Sequence, residues 1–239
     1  AWQHWDQEPS EHRIRIRGFK KNGTPYKEQF FIFSQGDAIQ TNPAIVSLKN
    51  GGFALAWEVY NSTTLYSEVY MQTLSSELTF WNAPVRVSPE GSIDHKSPGI
   101  TSLNENGFAV VWQEEEGANS EVSCQLFGAD GSKTRYPFRV NTQGNVKANT
   151  PTIATLKDGG FIVLWKTGSL ASSPLYAKRF SFKGIEAPFE VQCYYDDDCT
   201  DATKPMCDHF DFSCKGCNFN ADCDLSRPFC SDHRCSQCI

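Results

Sequence analysis

The residues able to do chemistry are few and unevenly placed. Ten cysteines occur in 239 residues, and nine of them fall between Cys193 and Cys238. They run Cys193, Cys199, Cys207, Cys214, Cys217, Cys223, Cys230, Cys235 and Cys238. Cys193 and Cys217 head two copies of one unit. Lys204-Pro205-Met206-Cys207 matches Arg227-Pro228-Phe229-Cys230, and Cys238 stands where a third copy would start. Four cysteines per unit make two disulfides each, and spacing leaves three pairings open. A zinc reading competes. Cys214-x2-Cys217 and Cys235-x2-Cys238 have zinc-ribbon spacing. That reading ignores Cys223 and Cys230 and cuts across the copy boundary, so disulfides are expected and zinc is not. Asp196 to Asp198 could offer oxygen to calcium. Only Asp198 has an acidic counterpart, Asp222, which favours a solvated acidic face. No resident cofactor is expected.

The rest of the chain shows no reactive set. Motifs for a serine nucleophile elbow, a zinc protease, a phosphate loop or an EF-hand do not occur. Of five histidines, His4 and His12 lie in the first unit of a repeat, His95 in a connection, and His209 and His233 among the cysteines. The run Glu114-Glu115-Glu116 reads as a solvated loop. Asn22-Gly23-Thr24 and Asn61-Ser62-Thr63 are N-glycosylation sequons in predicted turns or loops, with Asn61 the better acceptor. Trp5 and Trp81 have no repeat equivalents and are the candidates for an exposed ligand contact.

These residues hang on a repeat. Asn42-Pro43-Ala44-Ile45 through Gly51-Gly52-Phe53 to Trp57 recurs as Ser97-Pro98-Gly99-Ile100 to Trp112 and as Thr150-Pro151-Thr152-Ile153 to Trp165. Stepping back from Trp57 by the same interval lands on Trp2. Each unit predicts four short strands. An apolar strand follows Pro, and Asn50-Gly51 or Asp158-Gly159 turns the chain into a strand ending on Trp. A third strand alternates as Ile14, Ile16; Val69, Met71; Val122, Cys124; and Leu175, Ala177. A closing piece reads Phe138-Arg139-Val140 or Phe189-Glu190-Val191. The recurring Trp reads as packing, and Cys124 as a buried thiol acting as a small hydrophobe.

Four strands per unit with no helical period predict an all-β chain, a β-propeller-like array of four-stranded blades followed by small disulfide-rich modules. A β-sandwich is the alternative, and equal repeats argue against it. The expected organisation is a part-blade over 1–34, blades over 42–88, 97–141 and 150–192, and cysteine-rich units over 193–216 and 217–237. The first unit begins inside a strand and the last cysteine begins a further copy, so a piece of a longer protein is expected.

The pattern Pro-x-Ile-x-x-Leu-x-Asp/Asn-Gly-Gly-Phe-x-Val-x-Trp resembles the propeller-type repeats of large secreted adhesins and haemolysin-type surface proteins. Lys178-Arg179-Phe180 and Phe138-Arg139-Val140-Asn141 fit the same pattern. The resemblance implies an extracellular propeller and names no ligand. The cysteine units loosely resemble EGF-like or Dickkopf-like modules.

The net charge is −6, and the cysteine-rich tail holds nine Asp against four basic residues. There is no basic excess for nucleic acid, no apolar run of membrane-span length, and a cysteine density that fits an oxidising compartment. A glycosidase would need paired carboxylates near the propeller axis, and no acidic residue recurs there. The expectation is therefore a non-catalytic extracellular structural protein. It would be a surface filament or matrix-fibre subunit that contacts copies of itself or related subunits. A lectin-like or adhesive propeller that binds glycans is the alternative.

Overall fold

A computed structural model gives the fold. It describes residues 1–187 apart from 8–9, 33–37, 105–106, 142–146 and 169–172, and the short pieces 206–208, 213–215, 229–231 and 234–236. Every regular element among them is a strand.

The body is a succession of antiparallel sheets, each following the repeat. The first holds β1 (Trp2–Gln7), β2 (Ser10–Ile16) and β3 (Phe30–Phe31) in that order. The second holds β4 (Ile39–Ser47), β5 (Phe53–Asn61), β6 (Tyr66–Leu74) and β7 (Val85–Arg86). The third holds β8 (Asp94–Ser102), β9 (Phe108–Glu116), β10 (Asn119–Phe127) and β11 (Phe138–Arg139). The fourth holds β12 (Ala148–Thr155), β13 (Phe161–Thr167), β14 (Leu175–Phe180) and β15 (Glu186–Ala187). This is the propeller-like architecture that the repeat predicts.

The turns have the chemistry their geometry needs. Gly51, Gly131 and Gly159 have φ near +85 to +89°, a region only glycine enters without strain. The Asn50 and Asp158 side chains accept the N–H two residues on, at 3.0 and 2.9 Å, which closes each turn locally.

The first strands lie side by side, β4 next to β8 and β8 next to β12. Each runs through its proline instead of starting after it. The register shifts there, between Thr41 and Ala44, Lys96 and Gly99, and Asn149 and Thr152. Proline has no N–H for the ladder, and a bulge absorbs the missing bond. The residue before it is driven to positive φ in all three blades, at Asn42 (51°), Ser97 (53°) and Thr150 (46°).

The core lies between sheets. Trp57, Leu55 and Leu74 pack on Ile14, Ile16 and Ile32 of the first sheet. Trp112, Phe108 and Phe127 pack on Ala54, Ala56, Val69 and Met71 of the second. In the second and third sheets one face therefore carries the Trp and meets the preceding blade. The other carries the alternating apolar residues of the third strand. Trp57 and Trp112 are fully buried, as the packing reading requires, and so is Cys124, whose thiol burial pushes well above its usual pKa.

The chain divides into two compact units, Ala1–Lys178 and Arg179–Ile239. Within the second, β16 (Met206–Asp208) pairs with β17 (Ser213–Lys215), and β18 (Phe229–Ser231) pairs with β19 (Arg234–Ser236). Cys207 stands opposite Cys214 and Cys230 opposite Cys235. The two copies thus share one backbone register. Cys193, Cys199, Cys217, Cys223 and Cys238, the Asp196 to Asp198 cluster, His209 and His233 lie outside the described residues. No helix among the described residues is long and apolar enough to cross a membrane.

Candidate functional site

The strands have two ends, and chemistry collects at one of them. The starts of β4 and β8 and the ends of β5 and β9 share this end, which we call the mouth. Here β8 and β9 place Asp94 opposite Glu115, His95 opposite Glu114, and Lys96 opposite Gln113. The Lys96 ammonium lies 2.8 Å from Asp94 Oδ2 and 3.2 Å from Glu115 Oε2. Those two oxygens are therefore no more than about 6 Å apart. All three side chains are partly open to solvent, at 27, 34 and 39 %. Burial pulls the Lys96 pKa down, but its bonds to Asp94 and Glu115 outweigh that and raise it. The lysine is a fixed cation there.

A second polar layer supports this trio. Asp94 Oδ1 accepts the backbone N–H of Ser67 on β6 at 2.8 Å, which fixes the carboxylate between two blades. Beside it, Arg86 pairs with Glu68 at 3.2 Å, and Tyr70 donates its hydroxyl to Glu68 at 3.1 Å. His95 is buried to 1 % exposure, and its Nδ1 has no partner. Burial lowers its pKa, and Arg86 lowers it further.

Comparison along the repeat separates scaffold from site. Arg86–Glu68 recurs as Arg139–Glu121 at 2.9 Å, so that pair belongs to the blade. Glu58 Oε2 accepts Asn42 Nδ2 at 2.9 Å and the Ser97 N–H at 3.1 Å. Gln113, one repeat later, accepts the Thr150 N–H at 3.2 Å. That clasp holds the strained pre-proline residues Ser97 and Thr150 to the blade before each. The trio does not recur. Where the third sheet has Asp94, Lys96 and Glu115, the second has Ile39, Thr41 and Tyr60, and the fourth has Lys147, Asn149 and Gly168. Carboxylates that break a repeat at its mouth are not part of the pattern the blades share.

Two readings from the sequence change here. Glu114, Glu115 and Glu116 end β9 and are not a loop. Glu114 Oε1 accepts the Trp112 indole N–H at 3.0 Å. His95 lies in β8 and not in a connection. Sequence reasoning missed Asp94, Lys96 and Glu115 as a group because it looked for acids that recur. The signal was their failure to recur.

The other candidates sit elsewhere. Trp81 is 47 % exposed at the opposite end of the strands. It does have an equivalent: its N–H bonds Thr73 as that of Tyr26 bonds Gly18, and Tyr26 is 49 % exposed. Trp5 lies in β1, opposite His12. Asn22 is exposed in the turn after β2, and its Oδ1 accepts from Thr24 N and Oγ1 at 3.1 and 2.7 Å. Asn61 ends β5, with Oδ1 taking the Thr63 N–H at 2.9 Å. No grouping of His, Cys, Asp and Glu fit to hold a metal occurs among the described residues.

No protein-family model matches the chain, and no curated protein does. Solved structures do share its fold. It superposes on the GH93 α-L-arabinofuranosidase of Fusarium graminearum in complex with arabinobiose with a TM-score of 0.51 at 13 % identity, over 74 % of this chain and 57 % of that one. A protein of unknown function from Dyadobacter fermentans gives 0.53 at 13 % identity, over 76 % and 57 %. A thermostable family-43 glycoside hydrolase gives 0.48 at 13 % identity, over 77 % and 68 %. The chain spans little more than half the length of the first two. The fold is a β-propeller. The expected non-catalytic filament subunit, with its adhesive alternative, is corrected by this finding: the fold is shared with an α-L-arabinofuranosidase. The paired carboxylates at the mouth remove the reason for excluding an enzyme.

Proposed function

We propose that this chain is part of a carbohydrate-active β-propeller that engages a sugar at Asp94, Lys96 and Glu115. The carrying observation is a carboxylate pair that interrupts the repeat at the start of a first strand and stays partly open to solvent. Retaining glycosidases hold two carboxyl groups about 5–5.5 Å apart, and inverting ones about 6.5–9.5 Å. The limit of about 6 Å between the Asp94 and Glu115 oxygens fits the shorter class. Asp94, tied to the Ser67 N–H, is the better-fixed group and suits the nucleophile. Glu115 is the more exposed of the two. Lys96 holds both until a substrate hydroxyl competes for them. An extracellular setting, which the cysteine density favours, goes with this reading.

The test is a panel of neutral oligosaccharides, with arabinan fragments included, read by calorimetry and by release of reducing ends. Binding or turnover that falls at least tenfold in Asp94→Asn and Glu115→Gln supports the reading. A folded protein that neither binds nor cleaves any member of the panel overturns it.

A further inference from the structure

One hairpin at the mouth carries more than the blade needs. β5 and β6 pair as far as Asn61 opposite Tyr66, which leaves residues 62–65 in the loop. The equivalent hairpin of the third sheet pairs Glu116 with Asn119 and leaves Gly117 and Ala118. The longer loop stands in solvent. Residues 62–65 are all exposed, Leu65 at 66 %. Insertions of this kind collect in surface loops and serve function more often than packing. This one opens on Asn61-Ser62-Thr63, an N-glycosylation sequon that Glu116-Gly117-Ala118 does not repeat.

The Asn61 amide is held on one side and open on the other. Its Oδ1 accepts the N–H groups of Thr63 and Thr64 at 2.9 and 3.3 Å. The Asn61 carbonyl accepts the Leu65 N–H at 2.8 Å. Nδ2 has no hydrogen-bond partner among the described residues. The nitrogen that takes a sugar is thus the atom the turn does not use. Asn22 is a different case. Its Oδ1 accepts from Thr24 N and Oγ1 at 3.1 and 2.7 Å, and Asp130 Oδ1 accepts from Ser132 N and Oγ at 2.9 and 2.7 Å in the same turn of the third sheet. That turn chemistry belongs to the blade and accounts for Asn22 and Thr24 without a glycan.

We propose that Asn61 carries an N-linked glycan, and that this glycan flanks the mouth. The donor is an oligosaccharide linked to a lipid through a diphosphate. The bond between the anomeric carbon and the phosphate oxygen breaks, and a bond from that carbon to Asn61 Nδ2 forms. The amide loses one proton, the lipid diphosphate leaves with the electron pair, and nothing is oxidised or reduced. The nine cysteines from Cys193 to Cys238 fit a passage through an oxidising compartment, and a linked glycan is a bulky polar group suited to an exposed loop. Strand register sets where it stands. Asn61 ends β5 at the mouth, opposite Tyr66. Ser67, the next residue, donates its N–H to Asp94 Oδ1 at 2.8 Å. The glycan therefore stands one residue along the hairpin from the anchor of Asp94. Its attachment is independent of what the mouth binds.

The test is peptide mapping of the full chain secreted by its own source, after enzymatic release of N-glycans in heavy-oxygen water. Release converts each occupied asparagine to a labelled aspartate. The expected result is the label at Asn61 in most molecules. Thr63→Ala keeps the Thr63 N–H bond to Asn61 but breaks the sequon, so it should lose the glycan at Asn61 with its melting unchanged. Thr63→Ser should keep the glycan. An unlabelled Asn61, a label confined to Asn22, or a glycan retained at Asn61 in the folded Thr63→Ala protein overturns the proposal.

Discussion

Removing the Glu58 carboxylate tests how the blades are held in register. Glu58 is 8 % exposed and accepts two donors through one oxygen, Asn42 Nδ2 and the Ser97 N–H. Both donors belong to residues at positive φ, a conformation that costs about 1–3 kcal/mol and persists only where the surroundings enforce it. Hydrogen bonds to a charged group contribute about 1.5–3 kcal/mol each. Asn42 is exposed and can turn to water, so its bond should be discounted. Glu58→Ala should then cost about 2–4 kcal/mol. For a body of this size that is a fall in Tm of roughly 5–15 °C, read by scanning calorimetry with a urea titration alongside. The next interface supplies the control, because Gln113 makes the same clasp to Thr150 with a neutral oxygen. Glu58→Gln should therefore cost less than about 1 kcal/mol. A Glu58→Ala protein as stable as the parent, or a Glu58→Gln protein as damaged as Glu58→Ala, would refute the clasp.

Three more outcomes follow from the same interfaces. Trp112→Ala removes a fully buried ring packed on four residues of the preceding sheet and should cost about 3–5 kcal/mol, whereas Trp2→Ala, 37 % exposed, should cost far less in the same urea titration. His95 has a folded-state pKa lowered from its usual 6.5, so the unfolded chain takes up the proton first. Its contribution to stability is complete above about pH 6.5 and is lost as pH falls below it. Melting between pH 7.5 and 5 should show the decline, and His95→Gln, copying Gln40 of the preceding blade, should flatten it. Cys124 is fully buried with its thiol pKa raised, so peptide mapping after alkylation of the native protein should find it unmodified, and after alkylation in denaturant fully modified.

Most of the blade was legible in the sequence, for a local reason. Alternation at Val69 and Met71, glycine at Gly51 and Gly159, and the spacing of Trp57, Trp112 and Trp165 are each decided by a few neighbouring residues. Strand periodicity and turn chemistry act at that range. The prolines misled, because Pro43, Pro98 and Pro151 read as strand boundaries and a bulge lets the strand pass through them.

The site was not legible in the same way. Asp94 and Glu115 are 21 positions apart, and nothing local joins them. They meet because the β8–β9 register sets them opposite one another and Lys96 reaches both. His95 turned from a polar residue in a connection into a buried one only when two blades closed over it. By itself the sequence determined that this is a repeating all-β chain with a Trp recurring at one strand position, since backbone preference and alternation are written residue by residue. Only the tertiary structure decided which charges share a mouth, since side chains from different strands are neighbours by register and packing, which no short stretch of sequence contains.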